Sequence, residues 1–300
     1  MLQRINPTAL TLLLTICPFD ALANTLEQDI TSLTATEFMG RKSGTPGALL
    51  AGDYITQRFT QLGYIVQEQV FSYSTGLFST SKGRNIIASQ QELCHQCRQV
   101  IITAHYDHLG KKGFKLFPGA NDNASGVAAL LYLAEYFFDH ALPYQLLFVA
   151  TDAEENGLYG SQYLVSQLNP THVKMNINLD MLAVKPDHAK LYAFLDKSIK
   201  KQYQHNLEKL SDERLTVKVT TSSLQLNRRF NTKIDWRKAS DHYSFAKADI
   251  AFIYFAMGDD KHHHKSTDHI DNIDQGLYRH TVQKITDFID SLGSMPTQHK

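Results

Sequence analysis

Apolar and polar positions change period several times along the chain, and the changes mark out its elements. From Ala48 to Leu62 apolar residues recur at helical spacing, with Leu49, Tyr54, Ile55, Phe59 and Leu62 supplying one face behind a Gly/Ser/Pro turn at Gly40 to Gly47. Three β-rich runs follow, "GYIVQEQVFSYS", "GRNIIASQ" and "RQVIITAHYD", parted by turn residues. "NASGVAALLYLAEYFFDH" reads as a helix, and "YQLLFVATDAEE" as a nearly continuous apolar strand of the kind buried on both faces. "SQYLVSQL" predicts a short helix, "VKMNINLDML" and "KLYAFL" predict strands, and "DKSIKKQYQHNLEKLSDE" a helix with a charged, solvated face. "DIAFIYFAMG" is a last buried strand and "YRHTVQKITDFIDSL" a closing amphipathic helix. Strand and helix alternate, so the expected fold is α/β: a single domain, a three-layer sandwich whose mixed, centrally parallel sheet is covered by helices on both faces.

Length and composition fit that picture. A chain of 300 residues that is 43% hydrophobic can bury a full core. Thirty basic residues balance thirty acidic ones, so no global field draws in nucleic acid or an anionic membrane, and any partner must be recognised at a local site. The first residues change the picture more. Arg4, an apolar stretch centred on Leu12 to Cys17, and the small-x-small Ala21-Leu22-Ala23 form the pattern of a secretory signal cleaved after Ala23. The apolar run is well short of the roughly 20 residues that span a bilayer. The expected organisation is therefore a signal peptide over residues 1–23 and a catalytic domain over residues 24–300, exported to the periplasm or the medium and free of the membrane after cleavage. The mature chain would keep Cys94 and Cys97 in "ELCHQCRQV". A four-thiolate zinc site needs a second CxxC pair and none exists, so the spacing in an oxidising compartment predicts a local disulfide.

In open α/β sheets ligands bind beyond the carboxyl ends of the strands. There the predicted strands deliver His105 and Asp107, then Asp152, Glu154 and Glu155, then Asp180, and last the run His262, His263 and His264. Asp122, in "PGANDNASG", sits just before the long helix, where the positive end of the dipole holds an anion. Any one of these could be a helix cap or a solvated loop residue. Their convergence on one edge suits zinc or another first-row divalent ion, and more than four such donors suggests two ions sharing a carboxylate. Two such ions offer a route to amide hydrolysis. Other hydrolytic routes lack support, since the chain has no HExxH and no GxSxG.

In this order, "HYDHLG", "GANDNASGVAALL", "ATDAEENGLYGS", "NLDM" and "HHHKSTDHIDNI" closely resemble the secreted zinc aminopeptidases of the bacterial leucyl aminopeptidase type, the M-twenty-eight family of metallopeptidases. The similarity runs from about Gly40, where "GRKSGTPG" looks like the family's opening motif, to the C-terminal helix. The resemblance implies the phosphorylase/hydrolase-like zinc exopeptidase fold. It also implies two zinc ions per chain: His105 and Asp180 would ligate one, Glu155 and His264 the other, and Asp122 would bridge them. Asp107 becomes the acid that fixes the His105 tautomer, and Glu154 the general base. His264 is preferred over His262 and His263 because the family pattern places an Asp four residues later, which Asp268 satisfies. Some relatives carry a tyrosine before that histidine, where His263 stands here. The family's "SDH..F" element matches Ser240, Asp241, His242 and Phe245. A monomer acting on peptides with a free N-terminus is the implied function. Two rivals remain: a glutaminyl cyclase-like single-zinc enzyme on the same fold, and a non-catalytic binding protein.

Overall fold

The computed structural model describes residues 18–91, 97–140, 142–185, 189–230, 232–258 and 260–294, with side chains from residue 25 onward. Its strands are β1 (Ile65–Gly76), β2 (Ser79–Ser89), β3 (Gln99–His105), β4 (Lys111–Lys112), β5 (Lys115–Leu116), β6 (Gln145–Thr151), β7 (Val173–Leu179), β8 (Lys190–Leu195), β9 (Thr216–Thr220) and β10 (Phe252–Ala256). Its helices are α1 (Pro18–Leu33), α2 (Pro46–Gln61), α3 (Ser125–Phe137), α4 (Tyr159–Ser166), α5 (Lys200–Glu208), α6 (Ser223–Phe230), α7 (His242–Lys247) and α8 (Gln275–Ser291).

Among the described residues the strands form one eight-stranded sheet, ordered β1-β2-β6-β3-β7-β10-β8-β9, and a small β4-β5 ribbon. The central four, β6, β3, β7 and β10, run parallel. The hairpin β1-β2 joins antiparallel on one side, and β8 joins antiparallel on the other with β9 parallel to it. This is the mixed, centrally parallel sheet expected. β3 is buried along its whole length because its side chains feed two layers. Val100, Ile102 and Ala104 pack with α1, α2, α3 and α8, whereas Ile101 packs with Leu164 of α4 and Phe245 of α7. Period-two alternation between two cores is why the sequence reads as continuously apolar there.

Three expectations need correction. In α2 the buried stripe is Ala48, Ala51, Ile55 and Phe59, while Leu49 is 56% exposed. Small residues face the sheet because the helix packs close to it; Gly52, for example, leaves room for the Arg84 guanidinium, which a Cβ would meet at 2.5 Å. The long helix begins at Ser125, and the preceding residues form an irregular turn in which Asp122 and Asn123 have non-helical dihedrals. Finally, β9, α6 and α7 fill a stretch where no element is predicted from periodicity. They are short, only 5 to 8 residues, and α6 buries a single residue, Leu226.

Residues 1–17 lie outside the described residues, so most of the predicted signal does too. α1 starts at Pro18, runs across Ala23, and packs Leu26, Ile30 and Leu33 into the main core. Cys97 is disulfide-bonded; Cys94, its expected partner, lies outside the described residues. No described helix is long and apolar enough to cross a membrane.

Candidate metal centre

Because β3, β6, β7 and β10 are parallel, their carboxyl ends share one edge, and the loops leaving them meet there. His105 is the last residue of β3, Glu154 and Glu155 follow β6, and Asp180 follows β7. The loop after β10 brings back His263 and His264, and the turn before α3 supplies Asp122. All the sequence-predicted residues of the site are thus gathered, and distances sort them. His105 Nε2 is 3.5 Å from Asp122 Oδ1 and 3.4 Å from Asp180 Oδ1. His264 Nε2 is 3.2 Å from Asp122 Oδ2 and 3.1 Å from Glu155 Oε2. His263 Nε2 also approaches Asp122 Oδ2, at 3.5 Å, while His262 turns to the Thr267 hydroxyl at 2.9 Å. Asp152 takes no part: it accepts from the Arg84 and Ala153 main-chain N–H groups.

The donors fit zinc. Ligands about 2.0–2.1 Å from a tetrahedral ion stand about 3.3 Å apart, close to the spacing seen in both triads, and Asp122 offers one oxygen to each. Among the described residues Asp122 Oδ2 and Asp180 Oδ1 are buried and make no hydrogen bond, which is costly for a carboxylate unless a cation takes the lone pairs. The electrostatics agree. The Asp122 and Glu155 carboxylates facing its Nε2 push the His264 imidazole up to about 10, so the site draws positive charge toward itself. Burial would raise the Asp122 carboxyl, but the imidazoles of His108, His264, His105 and His263 overcome it and hold it well below the ordinary range. Glu155, against burial and the Asp122 charge, is held down to about 2 by His108 and His264. Glu154 goes the other way: burial, opposed by His105 and reinforced by Asp241, Asp180 and Glu155, pushes it well above the usual carboxylate range. Two adjacent glutamates with opposite proton affinities are suited to different roles.

The frame around the donors is built from main-chain hydrogen bonds. The Asp107 carboxylate accepts from Glu154 N at 3.0 Å and Glu155 N at 3.2 Å, fixing the turn after β6. The Asp107 atom nearest His105 Nδ1 is its carbonyl oxygen, at 3.2 Å, with the carboxylate at 3.7 Å. Asp268 accepts from Asn121 N at 2.9 Å and Asp122 N at 3.0 Å, which gives the His-x-x-x-Asp spacing a physical reason. Arg41 is fully buried and donates to the carbonyls of Tyr106, Leu33, Pro118 and Gly119, tying the loops of His105 and Asp122 to the end of α1. Arg41 and His108 lie inside the sequence motifs but carry no role legible there, because hydrogen bonds to groups distant in the chain leave no periodic signal.

A cavity of about 290 Å³ opens onto these donors. Its wall carries an acidic set, Glu154, Glu155, Asp180 and Asp260, and an apolar set, Met181, Ile234, Trp236 and Tyr254. The apolar set is held in place from α6 and α7: Asn227 donates to Ile234 O and accepts from Trp236 Nε1, and the ring of His242 donates to Trp236 O.

The architecture defines the class first. It matches an aminopeptidase from Aneurinibacillus sp. strain AM-1 with TM-score 0.71 at 18% identity, over 90% of this chain and 93% of that one. A zinc aminopeptidase from Bacillus subtilis superimposes with TM-score 0.73 at 16% identity, over 93% and 96% of the two chains. A glutaminyl cyclase of Porphyromonas gingivalis does so with TM-score 0.71 at 20% identity, over 90% and 98%. This is the fold of the bacterial zinc aminopeptidases, and it is shared with the cyclase. Residues 85–289, more than half of the chain, match the model of peptidase family M28, and the chain belongs to that family. Among curated proteins it is 34% identical over 169 residues to the alkaline phosphatase isozyme conversion protein of Escherichia coli (strain K12), covering 50% of this chain and 49% of that protein. It is 29% identical over 201 residues to aminopeptidase YwaD of Bacillus subtilis (strain 168), covering 65% and 40%. The chain therefore spans about half the length, or less, of these relatives.

Proposed function

We propose that the protein is an exported zinc-dependent aminopeptidase that holds two zinc ions, one on His105, Asp122 and Asp180 and the other on Asp122, Glu155 and His264. The observation that carries this reading is the shared carboxylate: Asp122 turns one oxygen toward each donor triad, and its buried Oδ2, ringed by the imidazoles of His108, His263 and His264, makes no hydrogen bond among the described residues. When bound, the pair of ions supplies Lewis acidity, lowering the pKa of water and polarising a carbonyl oxygen. The rest falls to side chains. Glu154 lines the cavity without belonging to either triad, and its raised proton affinity suits it to take a proton from the attacking water and return it to the departing amine. The acidic set favours a substrate's free ammonium group, and the apolar set removes a hydrophobic N-terminal side chain from water. Asp107 acts by fixing the turn that presents both glutamates. Cleavage after Ala23 would leave Leu26, Ile30 and Leu33 packed, which is consistent with a signal peptide over residues 1–23.

The test is to assay the purified protein on free and N-blocked aminoacyl substrates, with metal measured on the same sample. Exhaustive chelation should abolish hydrolysis of the free substrates, and zinc should restore it with close to two ions per chain. An active preparation holding no zinc, or one that cleaves N-blocked substrates equally well, would overturn the proposal. The cyclase reading, raised by the Porphyromonas gingivalis fold match, predicts instead one ion and loss of ammonia from peptides with N-terminal glutamine.

A further inference from the structure

The motif "HYDHLG" contains a second histidine that the ligand set above does not use. His108 is wholly buried, with Nδ1 2.9 Å from Glu155 Oε1 and 3.6 Å from Asp122 Oδ2. Its Nε2 is buried too and has no hydrogen-bond partner among the described residues. Glu155 Oε2, by contrast, faces His264 Nε2 at 3.1 Å. We infer that His108 is a positioning residue: it ties the Oε1 oxygen of Glu155 and so presents the Oε2 oxygen alone to the second zinc. The inference rests on the two-ion reading proposed above.

An ionised Glu155 has no proton to give, so Nδ1 is the donor of this bond. The carboxylate is held at both ends of its residue, because Glu155 N also donates to Asp107 Oδ2 at 3.2 Å. A glutamate free to swing could offer a metal one oxygen or two, and must lose that freedom on binding; one already pinned through Oε1 has lost it beforehand. Space for the ring is built into the chain. At Gly119, whose φ is +62°, a Cβ would lie 2.2 Å from Asp122 O, 2.6 Å from His108 Cδ2 and 2.7 Å from Cγ, so glycine there leaves room both for the Asp122 turn and for the imidazole.

Two substitutions separate the hydrogen bond from mere filling of space. In His108→Asn the amide nitrogen falls where Nδ1 stands and can donate to Glu155; in His108→Gln it falls nearer Nε2 and cannot. Zinc dissociation constants are measured by competition with a chromophoric chelator on the full-length wild type, both variants and Glu155→Ala, which identifies the constant belonging to the Glu155 position. His108→Gln should weaken that constant about 10- to 100-fold and leave the other unchanged, while His108→Asn stays within a few-fold of wild type. Unchanged affinity in His108→Gln, or equal weakening in both variants, would overturn the inference while leaving the two-ion reading intact. X-ray absorption showing one more imidazole around zinc in wild type than in His108→Asn would make His108 a ligand instead, which also overturns it. A wild type that binds a single ion sinks the proposed function itself, and this inference with it.

Discussion

Arg41→Met removes the guanidinium that joins three segments of the frame. The side chain is fully buried and donates four hydrogen bonds of 2.6–2.8 Å, from Nε to Tyr106 O, from Nη1 to Leu33 O and Pro118 O, and from Nη2 to Gly119 O. Bonds from a charged donor contribute about 1.5–3 kcal/mol each, which by itself would give a very large total. Burial works against it: desolvation pulls the Arg41 pKa down to about 10, a cost of roughly 3 kcal/mol that the substitution recovers. The carbonyls of Tyr106, Leu33 and Pro118 then lose this donor, Gly119 O keeps the Ala124 N–H at 3.1 Å, and methionine fills only part of the space. A net loss of about 3–5 kcal/mol is expected, a large fraction of the 5–15 kcal/mol typical of a domain. Urea unfolding followed by circular dichroism, in chelator so that bound metal does not contribute, measures it. Arg41→Lys keeps the charge but cannot span acceptors in three segments, and should lose at least half as much. A loss under about 1 kcal/mol for methionine, or a lysine variant as stable as wild type, would refute this account of the frame.

The two adjacent glutamates should part on substitution: Glu154→Gln should lower turnover by about 10² to 10⁴ with metal content and KM little changed, whereas Glu155→Gln should lose zinc, and elemental analysis beside steady-state kinetics would expose a reversed assignment. His242 should make the protein acid-labile. Burial lowers its pKa from 6.5 to about 3, so the folded state refuses a proton that the unfolded chain accepts, and stability falls as pH drops from about 6.5 toward 3, by up to about 1.4 kcal/mol per pH unit. His242→Gln keeps a donor for Trp236 O and removes that titration, so its unfolding free energy in chelator should fall less steeply by close to one proton; parallel curves would rule the histidine out.

What could be read without coordinates followed from local regularity. The alternation of β and α runs determined a three-layer α/β sandwich, and the parallel order of β6, β3, β7 and β10 follows from helices crossing between strands. The candidate donors were legible because a parallel sheet puts strand ends on one edge, so His105, Glu155 and Asp180 declare themselves by position, and short motifs added Asp122 and His264. Tertiary structure decided what depends on direction. Which face of α2 is buried was misjudged at Leu49, since close packing selected Ala48 and Ala51 instead. Spacing to Asp268 singled out His264 among the three adjacent histidines, but the directions of their rings are decided by the fold of their loop, which turns His264 toward both Asp122 and Glu155 and His262 toward Thr267. Arg41 and His108 act on atoms tens of residues away, the Gly119 carbonyl and the Glu155 carboxylate among them. Composition and spacing carry no trace of such bonds, because a hydrogen bond is fixed by the separation of two atoms in space and is indifferent to the length of chain between them.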